Sequence, residues 1–349
     1  MSTLKTDATE ELSQEMRALS DDALRTSEEV TTELFPDKRT LPLILKPRSA
    51  GVKLSDWVEE NREAVESLLL KHGALLFRDF GAASSGEFES FIRAASGDPL
   101  DYQERSSPRS RVSGNIFTST DYPASKSILL HNENSYQNSW PMKLFFCCET
   151  PPQSGGETPL ADCRQVYARI DPEIRERFAQ KKWMLVRNYN DGFGLTWQTV
   201  FQTEDKRAVE EHCRRQGIEV EWKDDERLRT RAVRPAIARH PRTGEHVWFN
   251  HALFFHISSM EAGIREALLD EFEDDELPSN TFYGDGSPIE PETLDELRKA
   301  YTNSTVAFPW HKGDILMLDN MLTAHSRAPY KGARKVLVGM SQPINREDV

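Results

Sequence analysis

His131 and Glu133 stand two positions apart, directly after the apolar run Ile128-Leu129-Leu130. In extended backbone, residues i and i+2 face the same way, so an imidazole nitrogen and a carboxylate oxygen can aim at one point. Two such ligands make a weak metal site. A third candidate is His325, which follows a second apolar run, Ile315-Leu316-Met317-Leu318. Two histidines and one carboxylate on one face of a metal suit Fe(II) and leave positions open for a cosubstrate and O₂. His-x-Glu alone recurs by chance, and on spacing alone a strand-end histidine bonded to a loop is the better explanation.

An iron site of this kind needs a cosubstrate that delivers two electrons, usually a bidentate 2-oxo acid. The far carboxylate of that acid calls for a fixed cation, preferably the planar fork of an arginine. Arg334 opens the last apolar run, with Lys335 on the opposite face, and Thr158, after Gly155-Gly156-Glu157, can add a hydroxyl. The competing reading of Arg334 is a surface ion pair. His251 and His256 flank Phe254-Phe255 and read as pocket or core histidines rather than ligands, while His240 and His246 flank a turn and read as solvated. Trp248, Asn250 and His251 are candidates for lining a substrate pocket. Arg105, Arg109 and Arg327 are candidates for binding a substrate carboxylate, with surface solvation the alternative for each.

These side chains have to be positioned by a scaffold. The 349 residues are 38% hydrophobic and 29% charged, enough for a sizeable core with a polar surface. The formal net charge of −13 argues against a nucleic-acid or anionic-membrane binder, which needs clustered Lys and Arg. The four cysteines lack metal-type spacing and read as reduced thiols. With no signal-like start and no long apolar run, the expected setting is the cytoplasm.

Residues 1–35 read as a polar arm, and residues 36–349 as one domain. Within it, Ser55 to His72 reads as one amphipathic helix stopped by Gly73, and Ala74 to Arg78 as an apolar strand. Ser84-x-x-Glu87 is a capping box opening another helix. Lys143 to Cys148 reads as a strand buried on both faces, placing Cys147 and Cys148 on opposite sides. Asp171-Pro172 starts a helix, and two short strands flank Pro241-Arg242-Thr243-Gly244 as a hairpin. The order of elements fits an α+β, mainly β architecture with helices outside.

Several motifs then resemble a known family. His131-x-Glu133, Gly155-Gly156-Glu157-Thr158, Gly313-Asp314, Asp319-Asn320, His325-Ser326-Arg327 and Gly332-Ala333-Arg334-Lys335 look like the TauD/TfdA superfamily of Fe(II)/2-oxoglutarate oxygenases, as does Gly73 to Phe80. The stretch from His131 to Tyr136, with Trp140-Pro141 and Trp310 to Asp314, is most similar to its syringomycin-type branch. The resemblance implies a double-stranded β-helix (jelly-roll) core with flanking helices. It implies His131, Glu133 and His325 as iron ligands, Thr158 and Arg334 as 2-oxoglutarate contacts, and Fe(II), 2-oxoglutarate and O₂ as cofactor and cosubstrates. It further implies hydroxylation of an amino acid, free or tethered to a peptidyl carrier protein, in natural-product biosynthesis, with release of succinate and CO₂. Related halogenases carry a small residue where Glu133 stands, so hydroxylation is favoured over halogenation. Desaturation, cyclisation, sulfonate or ether cleavage at the same iron, and a jelly-roll binding module without turnover, are the alternatives. Two departures stand out: taurine-type enzymes have Asp at position 133, and they place the anchoring Arg further beyond the distal His.

Overall fold

The computed structural model describes residues 28–37, 39–82, 84–100, 111–119, 122–190, 192 and 194–349. Its framework is a sheet of eight strands in the order Val30–Glu33, Leu43–Pro47, Ala74–Phe77, Ile315–Asp319, Ser139–Thr150, Lys335–Asn345, Ile116–Thr118 and Arg111–Ser113. Leu43–Pro47 and Ala74–Phe77 run parallel, and the other neighbours pair antiparallel. The polar arm read over residues 1–35 therefore ends in a strand of this sheet; residues 1–27 lie outside the described residues.

Period-two alternation decides which layer each residue joins. Phe145, Cys147, Ile315, Met317 and Leu337 pack against Trp57, Leu68, Phe88, Phe91 and other helical residues. Their neighbours Leu144, Phe146, Cys148, Leu316, Leu318, Val336 and Val338 join Leu160 on the opposite face. Strands covered on both sides read as continuous apolar runs. Cys147 and Cys148 thus fall in different layers, and all four cysteines are free and buried.

A second, four-stranded sheet lies on the Leu160 side, in the order Thr305–Val306, Leu160–Asp162, Thr323–Arg327 and Ile128–His131. A third sheet is formed by Glu219–Trp222, Leu228–Arg234, Trp183–Tyr189 and Ser279–Tyr283.

The region expected as one helix over residues 55–72 is two, Leu54–Glu60 and Arg62–His72. Asn61 interrupts them: its side-chain Nδ2 and its backbone N–H both donate to the Trp57 carbonyl. A side-chain amide that competes for a helical carbonyl in this way favours a break. Gly73 ends the second helix at φ 78°, and a Cβ there would stand 2.6 Å from Thr323 Oγ1. Only glycine lets the Gly73 carbonyl accept from Thr323 Oγ1 and from the Asp319 N–H.

The capping box at Ser84 and Glu87 and the Asp171 cap before Pro172 form as read. The hairpin forms too, pairing Ile237–Arg239 with His246–Trp248. Among the described residues, no helix is long and apolar enough to cross a membrane.

Candidate metal centre

His131 and His325 are far apart in sequence but directly opposite each other on neighbouring antiparallel strands of the second sheet. Directly paired residues project to the same face, about 5 Å apart. Their rings accordingly lie 4.3 Å centroid to centroid.

The strand ends at His131, and Glu133 begins a turn, so the extended backbone assumed for the i, i+2 pair stops short of the carboxylate. The ligand atoms converge nonetheless. One atom from each of His131, Glu133 and His325 lies within 4.8 Å of the other two. Glu133 is buried, with Oε2 3.9 Å from His325 Nε2.

The donor set fits a divalent metal. The Leu129 carbonyl stands 2.8 Å from His131 Nδ1, so that nitrogen donates and the Nε2 lone pair is left for coordination. Two neutral imidazoles and one carboxylate are the ligand types Fe(II) takes.

The turn carrying Glu133 is tied down by a residue that spacing alone does not reveal. Asn320 Oδ1 accepts from the Glu133 N–H at 2.8 Å, and Asn320 Nδ2 donates to the carbonyls of Glu133 and Pro141. Asn132, between the two ligands, donates in turn to the Asn320 carbonyl at 2.6 Å. Asp319 fixes the following turn by accepting from the N–H groups of Met321 and Leu322.

His240 completes this brace, against its reading as a solvated residue. It is buried, with Nε2 3.1 Å from Asp319 Oδ2 and Nδ1 accepting from the N–H groups of Arg242 and Thr243. Burial alone would raise the Asp319 carboxyl, but His240 and the two turn N–H groups hold it below the ordinary aspartate range. The hairpin bends His240 inward. His246 alone of that pair is exposed, stacked on Tyr167.

Next to the histidines lies a cavity of about 40 Å³ whose wall includes Thr158, Ser119, Arg327 and Arg334. Arg334 Nε donates to the Gly156 carbonyl at 2.9 Å, and Nη1 lies 3.4 Å from Ser119 Oγ. A Cβ on Gly156, which sits at φ 72°, would come within 3.0 Å of Arg334 Cδ, so glycine makes this seat possible. No Asp or Glu among the described residues forms an ion pair with Arg334. Burial first, then the neighbouring Arg327 charge, brings its pKa down to about 10, so it stays charged at neutral pH.

Thr158 Oγ1 accepts from Trp310 Nε1, which leaves its own hydrogen to donate into the cavity. Behind Trp310, Arg78 and Asp314 form a buried two-point ion pair that links two of the sequence motifs.

The remaining candidates divide. Arg327 is buried rather than solvated, and its two terminal guanidinium nitrogens donate to the carbonyls of Tyr122, Pro123 and Lys126. It borders the cavity as a brace. His251 is buried beside the centre, its ring 5.8 Å from that of His131 and Nδ1 2.6 Å from Ser135 Oγ. Burial, then the proximity of His131, holds its pKa well below the usual histidine value, so it is neutral.

Trp248 and Asn250 do not line the cavity. Trp248 packs on Phe178 in the core, and Asn250 bonds the backbone of Ala236 and Ala252. Arg105 and Arg109 lie outside the described residues.

Residues 37–341 match the profile of "Taurine catabolism dioxygenase TauD, TfdA family". The chain belongs to the TauD/TfdA family. It is an Fe(II)- and 2-oxoglutarate-dependent dioxygenase. Among curated TauD/TfdA-related proteins it is 40% identical over 280 residues to the dapdiamide synthesis protein DdaC of Enterobacter agglomerans, covering 80% of this chain and 85% of that one. It is 30% identical over 322 residues to a clavaminate synthase-like protein of Arabidopsis thaliana, covering 87% and 94%.

Among solved structures, PvcB of Pseudomonas aeruginosa superposes with a TM-score of 0.54 at 15% identity, covering 90% of this chain and 92% of that one. A second structure of PvcB, an Fe, alpha-ketoglutarate dependent oxygenase from an isonitrile synthetic pathway, gives 0.54 at 14% identity over 92% and 96%. At that identity the likeness speaks for the fold alone.

Proposed function

We propose that this TauD/TfdA dioxygenase hydroxylates an unactivated C–H bond of an amino acid or amino-acid derivative, free or carrier-tethered, in natural-product biosynthesis. His131, Glu133 and His325 hold the iron, and Arg334 with Thr158 holds 2-oxoglutarate. The observation that carries the reading is a convergent His131-Glu133-His325 set whose two histidines line one cavity with a half-buried arginine, Arg334, that has no carboxylate partner among the described residues. The eight-stranded and four-stranded sheets facing across it read as the two halves of a double-stranded β-helix. Kinship with a dapdiamide synthesis protein supports the natural-product setting.

Iron(II) with 2-oxoglutarate and O₂ supplies the oxidising power to replace C–H by C–OH, releasing succinate and CO₂. The chain's own residues do the rest. Arg334 neutralises the far carboxylate of the 2-oxo acid through a fixed fork, and Thr158 donates beside it. The neutral His251 and the Phe254 ring, 5.1 Å from that of His131, wall the centre and limit water. Glu133 occupies the position that a halide would need, which favours hydroxylation.

Purified protein with Fe(II), ascorbate and 2-oxoglutarate, offered a library of amino acids and carrier-bound aminoacyl groups, is expected to form succinate. A product gain of one oxygen marks hydroxylation, and loss of two hydrogens would move the reading to desaturation. No succinate with any member of the library would count against the amino-acid substrate class.

A further inference from the structure

A second, larger cavity of about 410 Å³ lies on one face of the third sheet, and none of the iron-ligand candidates lines it. Its floor is one face of two paired strands, carrying Leu185, Arg187 and Tyr189 on one and Thr230, Ala232 and Arg234 on the other. Its roof is the helix Trp197–Phe201 and the face of Lys206–Arg215 that presents Ala208, His212 and Arg215. The volume falls within the usual 300–1,000 Å³ range of small-molecule sites.

The lining is one-signed. Asp and Glu outnumber Lys and Arg by 57 to 44 over the whole chain, yet the lining holds Arg187, Arg215, Arg234 and His212 and no acidic residue. Glu211, 4.0 Å from Arg215 Nε, lies outside it. Arg234 is not available to a ligand, since it donates to the carbonyls of Tyr136, Gln216, Gly217 and Val233. Arg187 is: no carboxylate among the described residues pairs with it, and its guanidinium lies 5.3 Å from the Tyr189 ring centroid. Aromatic surface from Tyr136, Tyr189 and Phe201 surrounds these polar groups.

A half-buried cation within apolar walls and without a carboxylate partner among the described residues, in an acidic protein, is stabilised most by an anion that brings its own apolar surface. We propose that this cavity is a binding site for an organic anion, a carboxylate or phosphate on an apolar body, gripped by Arg187 with Arg215 at the mouth and packed on Tyr189 and Phe201. The site is separate from the iron centre and independent of the substrate class proposed above. It adjoins the centre through Tyr136, which lines the cavity, shares the turn of Glu133, and packs its ring 5.0 Å from that of His251.

The test is a fluorescence titration of the full-length protein with anilinonaphthalenesulfonate, a readout that does not involve turnover. Saturable binding is expected, weakened about tenfold in Arg187→Gln and in Ala208→Trp, which fills the mouth from an exposed helical position. Thermal melts followed by circular dichroism check that both variants fold. The uncharged N-phenylnaphthylamine is expected to bind Arg187→Gln as it binds the parent, and Arg334→Gln to keep its affinity for the sulfonate. Displacement by phenyl phosphate would assign a phosphate head group, and displacement by phenylacetate a carboxylate. Parent-like sulfonate affinity in both cavity variants, loss of affinity in Arg334→Gln, or displacement by neither anion would overturn the proposal.

Discussion

The iron pocket and the cavity on the third sheet each set an arginine braced on backbone carbonyls beside one that faces the open space, with Arg215 a third at the mouth of the second cavity. Arg327 and Arg234 direct their terminal guanidinium N–H groups to backbone carbonyls, whereas Arg334 and Arg187 face the cavities without a described carboxylate. The walls differ. The iron pocket is small and lies between strands whose register sets His131 opposite His325. The other cavity is about ten times larger and is roofed by two short helices. Strand pairing fixes donors closely enough for coordination chemistry, while a helical roof suits recognition of a bulkier ligand.

That contrast can be broken most forcefully at the metal. Replacing His131 or His325 by Ala is expected to abolish 2-oxoglutarate turnover and iron retention, measured by succinate assay and metal analysis. Either variant retaining parent-level turnover would remove the triad assignment. Next in size, Asn320→Ala takes away the hydrogen bonds that orient Glu133. The expected loss in iron affinity or activity is about 10–100-fold, typical of groups behind the ligands, with a stability loss on the order of 2 kcal/mol. Unchanged iron affinity would mean that the turn holds its shape without Asn320.

Arg334→Gln sharpens the difference between the two pockets. Removing the charge that meets a buried carboxylate is expected to raise the 2-oxoglutarate KM about 30-fold, with a smaller change in kcat. An unchanged KM moves the anchor elsewhere.

The smallest effect concerns the loop of residues 251–260, which touches the iron side through His251. Burial, then the charge of Arg298, lowers His256 from 6.5 to about 4. A lowered pKa in the folded state means that the unfolded chain takes up the proton first. Stability is therefore complete above about 6.5 and falls as pH drops toward 4. Urea titrations at stepped pH should show this slope, and His256→Gln should flatten it; the same slope in the variant would assign it to other groups.

Much of the scaffold was legible because local chemistry specifies it. The Ser84-Glu87 box, the Asp171 cap and the two-faced strand around Cys147 and Cys148 depend on neighbours a few residues away. The split at Asn61 was hidden because the amphipathic period continues across it, and only a side-chain bond to the Trp57 carbonyl marks the break. His240 misled for a related reason. A residue beside a turn is ordinarily wet, and its burial depends on Asp319 arriving from a distant strand. Trp248 and Asn250 looked like pocket residues from their aromatic and polar types, but the hairpin packs them into the core.

The sequence by itself determined which residue types could hold iron and a 2-oxo acid: His131, Glu133, His325, Thr158 and Arg334 are chemically suited whatever their positions. Only the tertiary structure decided that His131, His325, Thr158 and Arg334 line one cavity with Glu133 converging on its histidines, because strand register and the Asn320 brace are long-range pairings that no local pattern encodes. It also divided the arginines. Arg327 and Arg334 are the same residue type only a few positions apart, yet one donates both terminal nitrogens to backbone carbonyls and the other is left facing a cavity. That distinction rests on which carbonyls the fold brings within hydrogen-bond reach.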